Sequence, residues 1–137
     1  MPGEEIGRRQ FVGNAAAATF LIMKPHVVRG SAANSAVRIG LLGCGGRGTV
    51  VTTSFANNTT ARIVALADLF PDKLETARHH FDSIAEKKGY AGIDPRLMFR
   101  GPEAYQQLVS SDQIDSVHIS TPDYFHPVHL DAAVSAG

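Results

Sequence analysis

The feature that most narrows the fold is the run Arg38-Ile-Gly-Leu-Leu-Gly-Cys-Gly-Gly-Arg-Gly48, an apolar stretch that breaks into glycines ahead of a helix-forming segment. It reads as strand, tight turn, helix. Gly43, Gly45 and Gly48 fit G-x-G-x-x-G. In that spacing the first glycine makes the turn, the second lets a pyrophosphate approach the backbone, and the third lets the helix pack on its strand. N–H groups at the helix start have no partner inside the helix and suit a phosphate. Gly46 and Arg47 fall within the same turn and are grouped with it as candidate binding residues.

Thirteen glycines in 137 residues produce such spacings by accident, so the motif needs a second feature. Asp68 supplies it, twenty residues past Gly48 and closing a second apolar run, Arg62-Ile-Val-Ala-Leu-Ala-Asp68. A carboxylate there is placed to bind a ribose. An aspartate after a strand is otherwise a turn or cap residue. Together the two features predict a dinucleotide-binding α/β fold.

Composition bounds the remaining choices. The chain is long enough for one domain, and 44% hydrophobic with 19% charged residues is the make-up of a globular protein. Thirteen basic and thirteen acidic residues cancel, which leaves no electrostatic footprint for nucleic acid. The single cysteine, Cys44, excludes an internal disulfide and a cysteine-based metal cluster. In the glycine turn it reads as a small residue that fits, rather than a thiol activated by a helix N-terminus.

Residues 1 to 33 read as separate from the fold. Arg8-Arg9-Gln10-Phe11 precedes the apolar stretch Ala15 to Met23, closed by Lys24-Pro25 and the small residues Gly30-Ser-Ala-Ala33. The arrangement resembles a twin-arginine export signal with Ser31-Ala32-Ala33 as the small-residue cleavage site. Its apolar core is far shorter than the ~20 residues of a membrane-spanning helix. The alternative is an N-terminal arm. An exported folded protein fits a chain that must take up its cofactor before leaving, so a periplasmic location is expected, with a cytoplasmic one as the alternative.

From residue 36 onward strand and helix alternate. After the glycine turn, Arg47 to about Ala56 forms a helix and Asn57-Asn-Thr-Thr60 a turn into the second strand. Pro71 suits a helix's first turn, and Leu74, Ala77, Phe81, Ile84 and Ala85 recur on one face of the helix that follows. Lys73, Glu75, Arg78, Glu86, Lys87 and Lys88 form its polar face, and His79 and His80 have no assigned role. A short third strand is expected at Leu97-Met-Phe99, then a helix from Pro102 to about Ser110 with Tyr105 and Leu108 as core anchors. Asp115 to Ser120 forms a fourth strand, with His118 as a packing histidine, and a last helix runs from about Phe125 to Ala136. This is the pattern of a Rossmann-type, doubly wound parallel sheet, cut off after about four βα units.

The loop after the fourth strand, Thr121-Pro-Asp-Tyr-Phe-His126, lies where such sheets form their ligand crevice. Pro122 ends the strand, and Thr121 offers a hydroxyl to a ribose or nicotinamide. His126 is open to either capping and packing or ligand contact. His126 and His129 share a helix face at i and i+3, but two histidines without a third ligand make no metal site.

The blocks Ile39 to Gly48, Val64 to Asp68, Asp115 to Pro122, and His126 ahead of Ala132-Ala-Val-Ser-Ala-Gly137 resemble the glucose-fructose oxidoreductase, inositol dehydrogenase and rhizopine-catabolism group (Gfo/Idh/MocA) over residues 38 to 137. The resemblance implies that Gly43, Gly45 and Gly48 hold the pyrophosphate and Asp68 the adenosine ribose. Thr121 and Pro122, with Ser120 and His126, would lie along the nicotinamide half. Asp123 stands where many members have asparagine. Asp68 favours NAD over NADP, because a carboxylate accepts from both ribose hydroxyls and repels a 2′-phosphate. Leu69 and Phe70 bring no positive charge, while Arg47 is a cation that can reach a phosphate.

By the same resemblance, a strand ending in Glu-Lys-Pro and a second, substrate-binding domain would follow Gly137, so the chain is expected to be an N-terminal portion with no catalytic residue of its own. Alone it would bind NAD weakly and not turn over. Three functions follow: the cofactor half of an oxidoreductase acting by hydride transfer on a sugar or polyol, an exported NAD-dependent glycoside hydrolase of the same group, or a non-catalytic nucleotide-binding module. The full-length protein is expected to be a homo-oligomer.

Overall fold

The computed structural model describes residues Ala36–Gly137; the stretch read as an export signal lies outside them. Strand β1, Arg38–Leu42, leads through the glycine turn into helix α1, Gly46–Asn58. Strand β2, Arg62–Asp68, is followed by α2, Pro71–Lys88. A 3₁₀ turn at Pro95–Leu97 precedes β3, Met98–Arg100, and α3, Ala104–Val109. Strand β4, Ser116–Ile119, a 3₁₀ turn at Asp123–Phe125 and α4, His126–Ala136, complete the described chain.

The four strands form one parallel sheet in the order β3-β2-β1-β4. The chain moves outward from β1 to β3, then crosses back to place β4 on the other side of β1. Strand order therefore reverses between β1 and β4, the position at which doubly wound sheets open a crevice. Strand β4 has no second neighbour among the described residues.

Both faces of the sheet are covered, as the near-continuous apolar strands require. Leu41, Ile63 and Leu66 pack with Ala56, Leu74, Ala77 and Phe81 under α1 and α2. Leu42, Ala65 and Ala67 pack with Ala104 and Leu108 under α3. Gly40 is small because Leu108 lies over it: an added Cβ would sit 2.8 Å from Leu108 Cδ1. At the amino-terminal edge of the sheet, Arg38 pairs with Asp115 at 2.9 Å and joins β1 to the start of β4.

Some boundaries differ from the sequence reading, for local reasons. Helix α1 continues past Ala56 because Asn58 Nδ2 donates to the Ser54 carbonyl and Thr59 Oγ1 to that of Phe55, satisfying carbonyls of the last turn. Leu97 belongs to the 3₁₀ turn, where the Asp94 carboxylate accepts from Arg96 N–H at 2.9 Å, so β3 starts at Met98. Pro102 lies in a turn entered through Gly101 at φ +103°, and α3 begins only at Ala104. His80 is exposed, and its Nε2, 2.7 Å from Thr53 Oγ1, links α2 to α1.

Candidate functional site

Hydrogen bonds continue one residue past the strand ends and bring the loops of the site to a common level. Gly43 N–H donates to the Ala67 carbonyl at 2.9 Å, Ser120 N–H to Leu42 at 2.8 Å, and Gly101 N–H to Asp68 at 3.1 Å. Between these loops lies a cavity of about 510 Å³, within the size range of small-molecule sites.

The three motif glycines meet three different surroundings. Gly43 has φ +93°, and an added Cβ would lie 2.7 Å from the Ser120 carbonyl carbon and 2.8 Å from Thr121 N. A Cβ on Gly48 would collide with the Gly43 carbonyl oxygen and crowd Leu41 and Ser120. At Gly45 a Cβ would meet nothing within 4 Å. Gly43 and Gly48 are thus required by the protein's own packing. Gly45 faces open space on the cavity wall, at the N-cap of α1, where a ligand phosphate has room to reach the backbone.

Asp68 is fixed at the end of β2. Its Oδ2 accepts from Cys44 N–H at 2.7 Å and its Oδ1 from Phe70 N–H at 2.9 Å. A carboxylate has about four acceptor positions, so capacity remains for a ligand diol after both tethers. The first tether ties β2 to the glycine turn. Cys44 itself is buried, its Sγ 3.6 Å from the Ala67 carbonyl. Burial, with the Asp68 carboxylate adding to it, pushes the thiol up to about 12, so it is protonated and inert.

Across the crevice, Thr121 is held at two atoms. Its carbonyl lies 2.6 Å from His126 Nε2 and its Oγ1 2.8 Å from His129 Nδ1. His129, 8% exposed, stacks on Phe125 with ring centroids 5.8 Å apart and lies against Tyr105 at 4.8 Å. Burial, then the neighbouring His126, lowers its pKa from the ordinary imidazole value. His118 is also lowered, by burial and then by Arg47; its Nε2 lies 2.8 Å from Ser120 Oγ, behind the loop.

Of the residues predicted from sequence, Gly43, Gly45, Asp68, Ser120, Thr121 and Pro122 line the cavity. Gly46, Arg47, Gly48 and His126 are not among its walls. Gly48 packs beneath the turn, and His126 holds the Thr121 carbonyl. Sequence reasoning missed His129, Tyr105, Phe125 and Lys73, which do line it. The signal for His129 was its placement one turn beyond His126 on the helix that follows the loop. Among the described residues no cluster of three or more His, Cys, Asp or Glu gathers to hold a metal.

Fold and crevice define a Rossmann-type α/β chain with a small-molecule-sized cavity at its switch point. No family model matches the chain. It is similar to a glycosyl hydrolase family 109 protein of Solibacter usitatus, 34% identical over 104 residues that cover 76% of this chain and 23% of that protein. A glycosyl hydrolase family 109 protein of Bacteroides thetaiotaomicron is 37% identical over 101 residues, 73% of this chain and 20% of that one. The chain thus spans under a quarter of the length of these relatives. Its fold matches that of a scyllo-inositol dehydrogenase from Lactobacillus casei, without ligand (TM-score 0.58, 22% identity) and with NAD(H) and scyllo-inositol bound (TM-score 0.54, 23%). Each comparison covers 74% of this chain and 26% of that one. The chain is similar to the N-terminal, NAD-binding portion of the Gfo/Idh/MocA group, as its motifs imply.

Proposed function

We propose that this chain binds NAD and forms the cofactor-binding portion of an oxidoreductase that acts on a sugar or polyol by hydride transfer. The observation that carries the proposal is the pairing, across one crevice, of an open glycine at a helix start with a backbone-tethered aspartate. Gly45 leaves space for a pyrophosphate, and Asp68 presents a fixed acceptor for the two ribose hydroxyls. The NAD(H) bound in the Lactobacillus casei enzyme, whose fold this chain shares, supports the choice of cofactor. When bound, NAD supplies the hydride acceptor. The residues here bind and orient it.

Asp68 favours NAD over NADP because a 2′-phosphate would meet its carboxylate. Lys73, farther along the same wall, is the cation against which that preference is tested. Titration of the chain with NADH and NADPH, followed by nucleotide fluorescence, is the experiment. NADH is expected to bind about tenfold or more tightly than NADPH, and Asp68→Asn to weaken NADH by about tenfold, one charge-assisted hydrogen bond's worth. Equal affinity for the two nucleotides, untouched by Asp68→Asn, would overturn the assignment.

The glycosyl hydrolase family 109 relatives favour a second reading, a glycoside hydrolase that oxidises and re-reduces the sugar around an elimination. Net change in cofactor redox state, measured on a longer protein carrying this portion, separates the two. Export by the twin-arginine route remains our proposal for residues 1 to 33, supported by Arg8-Arg9 ahead of an apolar stretch, and a homo-oligomer our proposal for the full-length protein.

A further inference from the structure

Thr121 stands at the switch point with its carbonyl held by His126 and its hydroxyl by His129. With both atoms fixed, the hydroxyl proton is the element of Thr121 still free to choose a direction. A hydroxyl has one proton and two lone pairs, so the partner at 2.8 Å decides what remains for a ligand. If His129 Nδ1 carries hydrogen, it donates to Thr121 Oγ1, and the hydroxyl proton turns toward the cavity as a donor. If Nδ1 is bare, the hydroxyl donates to it and shows the cavity only lone pairs.

Resting on the NAD-binding reading above, we propose that His129 is a positioning residue: through Nδ1 it sets whether the Thr121 hydroxyl donates to, or accepts from, the bound dinucleotide. The surroundings fit this role. His129 and Thr52 are the buried polar residues among those described, and the Thr52 hydroxyl is engaged within its own helix, donating to the Gly48 carbonyl. The aromatic rings of Phe125 and Tyr105 lie on His129 and keep its orientation. The titratable groups around it are His126 on its own helix and Tyr105 on α3, with Asp68 and Lys73 elsewhere on the cavity wall. Burial keeps the ring neutral near pH 7, so both polarities are accessible there, whereas an imidazolium enforces the donor form.

The test is NADH titration of the full chain at pH 7.5, with circular dichroism to confirm folding. His129→Leu keeps an apolar filling and removes the hydrogen bond; it is expected to weaken NADH about three- to tenfold, the size of one such bond. His129→Asn, which returns a polar atom near the Nδ1 position, is expected to restore NADH binding to within about twofold of wild type. Thr121→Val should weaken binding by itself, and adding His129→Leu to it should cost nothing more. The inference is overturned if the Leu variant binds like wild type, or if the Thr121 and His129 losses multiply. If His129→Leu does not fold, the comparison of Thr121→Val with His129→Asn decides: an Asn variant that binds NADH as weakly as Thr121→Val overturns it. A wild-type chain that binds neither NADH nor NADPH refutes the proposed function and this inference with it, whereas normal wild-type binding with an indifferent His129→Leu variant overturns this inference alone.

Discussion

The loops after β1 and β4 face each other across the crevice, and they are held by different means. The first is fixed by backbone: Gly43 sits at φ +93°, Gly48 packs under the Gly43 carbonyl, and the Cys44 amide is bonded to Asp68. The second is fixed by side chains from the helix that follows it, His126 and His129, closing on Thr121. A backbone-held loop demands particular residues at particular spacings and tolerates few others. A side-chain-held loop asks only that some suitable group arrive from elsewhere, so its shape is more easily altered and its polarity more easily tuned.

If the β1 loop is the rigid partner, its one thiol reports the fact with the largest effect. Cys44 is 4% exposed and its pKa is pushed up to about 12, so little thiolate exists at pH 8. Native protein should react with a thiol reagent on the order of a thousandfold more slowly than the denatured chain, whose thiol has its ordinary pKa near 8.5. A native rate close to the denatured one would mean that the glycine turn opens readily, and the contrast between the loops would collapse.

Two glycine substitutions sharpen the comparison. Gly43→Ala combines a left-handed backbone with a Cβ 2.7 to 2.8 Å from the backbone of Ser120 and Thr121, and should cost about 3 kcal/mol. For a chain of this size that is a fall of roughly 15 °C in thermal midpoint. Gly45→Ala meets nothing within 4 Å and has φ −72°, so its cost should stay within about 1 kcal/mol, the scale of an N-cap change. Its effect belongs instead in NADH affinity. A thermal melt and a titration on each variant separate a glycine required by the fold from one required by a ligand.

The same contrast explains what the sequence reading reached. The glycine turn, Asp68 and the buried face of α2 were legible because each is a local pattern: φ and close approach restrict the residue type, and Leu74, Ala77, Phe81 and Ala85 repeat with the helix. The walls contributed by Lys73, Tyr105 and Phe125 were not. Lys73 follows the polar pattern of α2 and Tyr105 the apolar pattern of α3, and neither period tells which residue at a helix end looks into a crevice. Helix α4 is apolar on several sides, with Val128, Leu130 and Val134 exposed, so its period does not single out His129, whose one cue is its place a turn beyond His126. That contact depends on where the helix lands.

The gentlest probe of the β4 loop is pH. His129, and His118 behind Ser120, both have pKa values lowered by burial in the folded chain, whereas in the unfolded chain they titrate near 6.5. Between the lowered value and 6.5 the unfolded chain binds more protons, so stability rises with pH through that window. It is complete above about 6.5 and declines as the solution is acidified. Thermal midpoints measured from pH 7.5 to 5 should therefore fall, by less than the Gly43→Ala effect. His129→Asn should flatten the slope by its own share, leaving that of His118. A slope unchanged in the Asn variant would show that the Thr121 clamp takes up its proton without strain, and the β4 loop would then be no softer to titration than the glycine turn it faces.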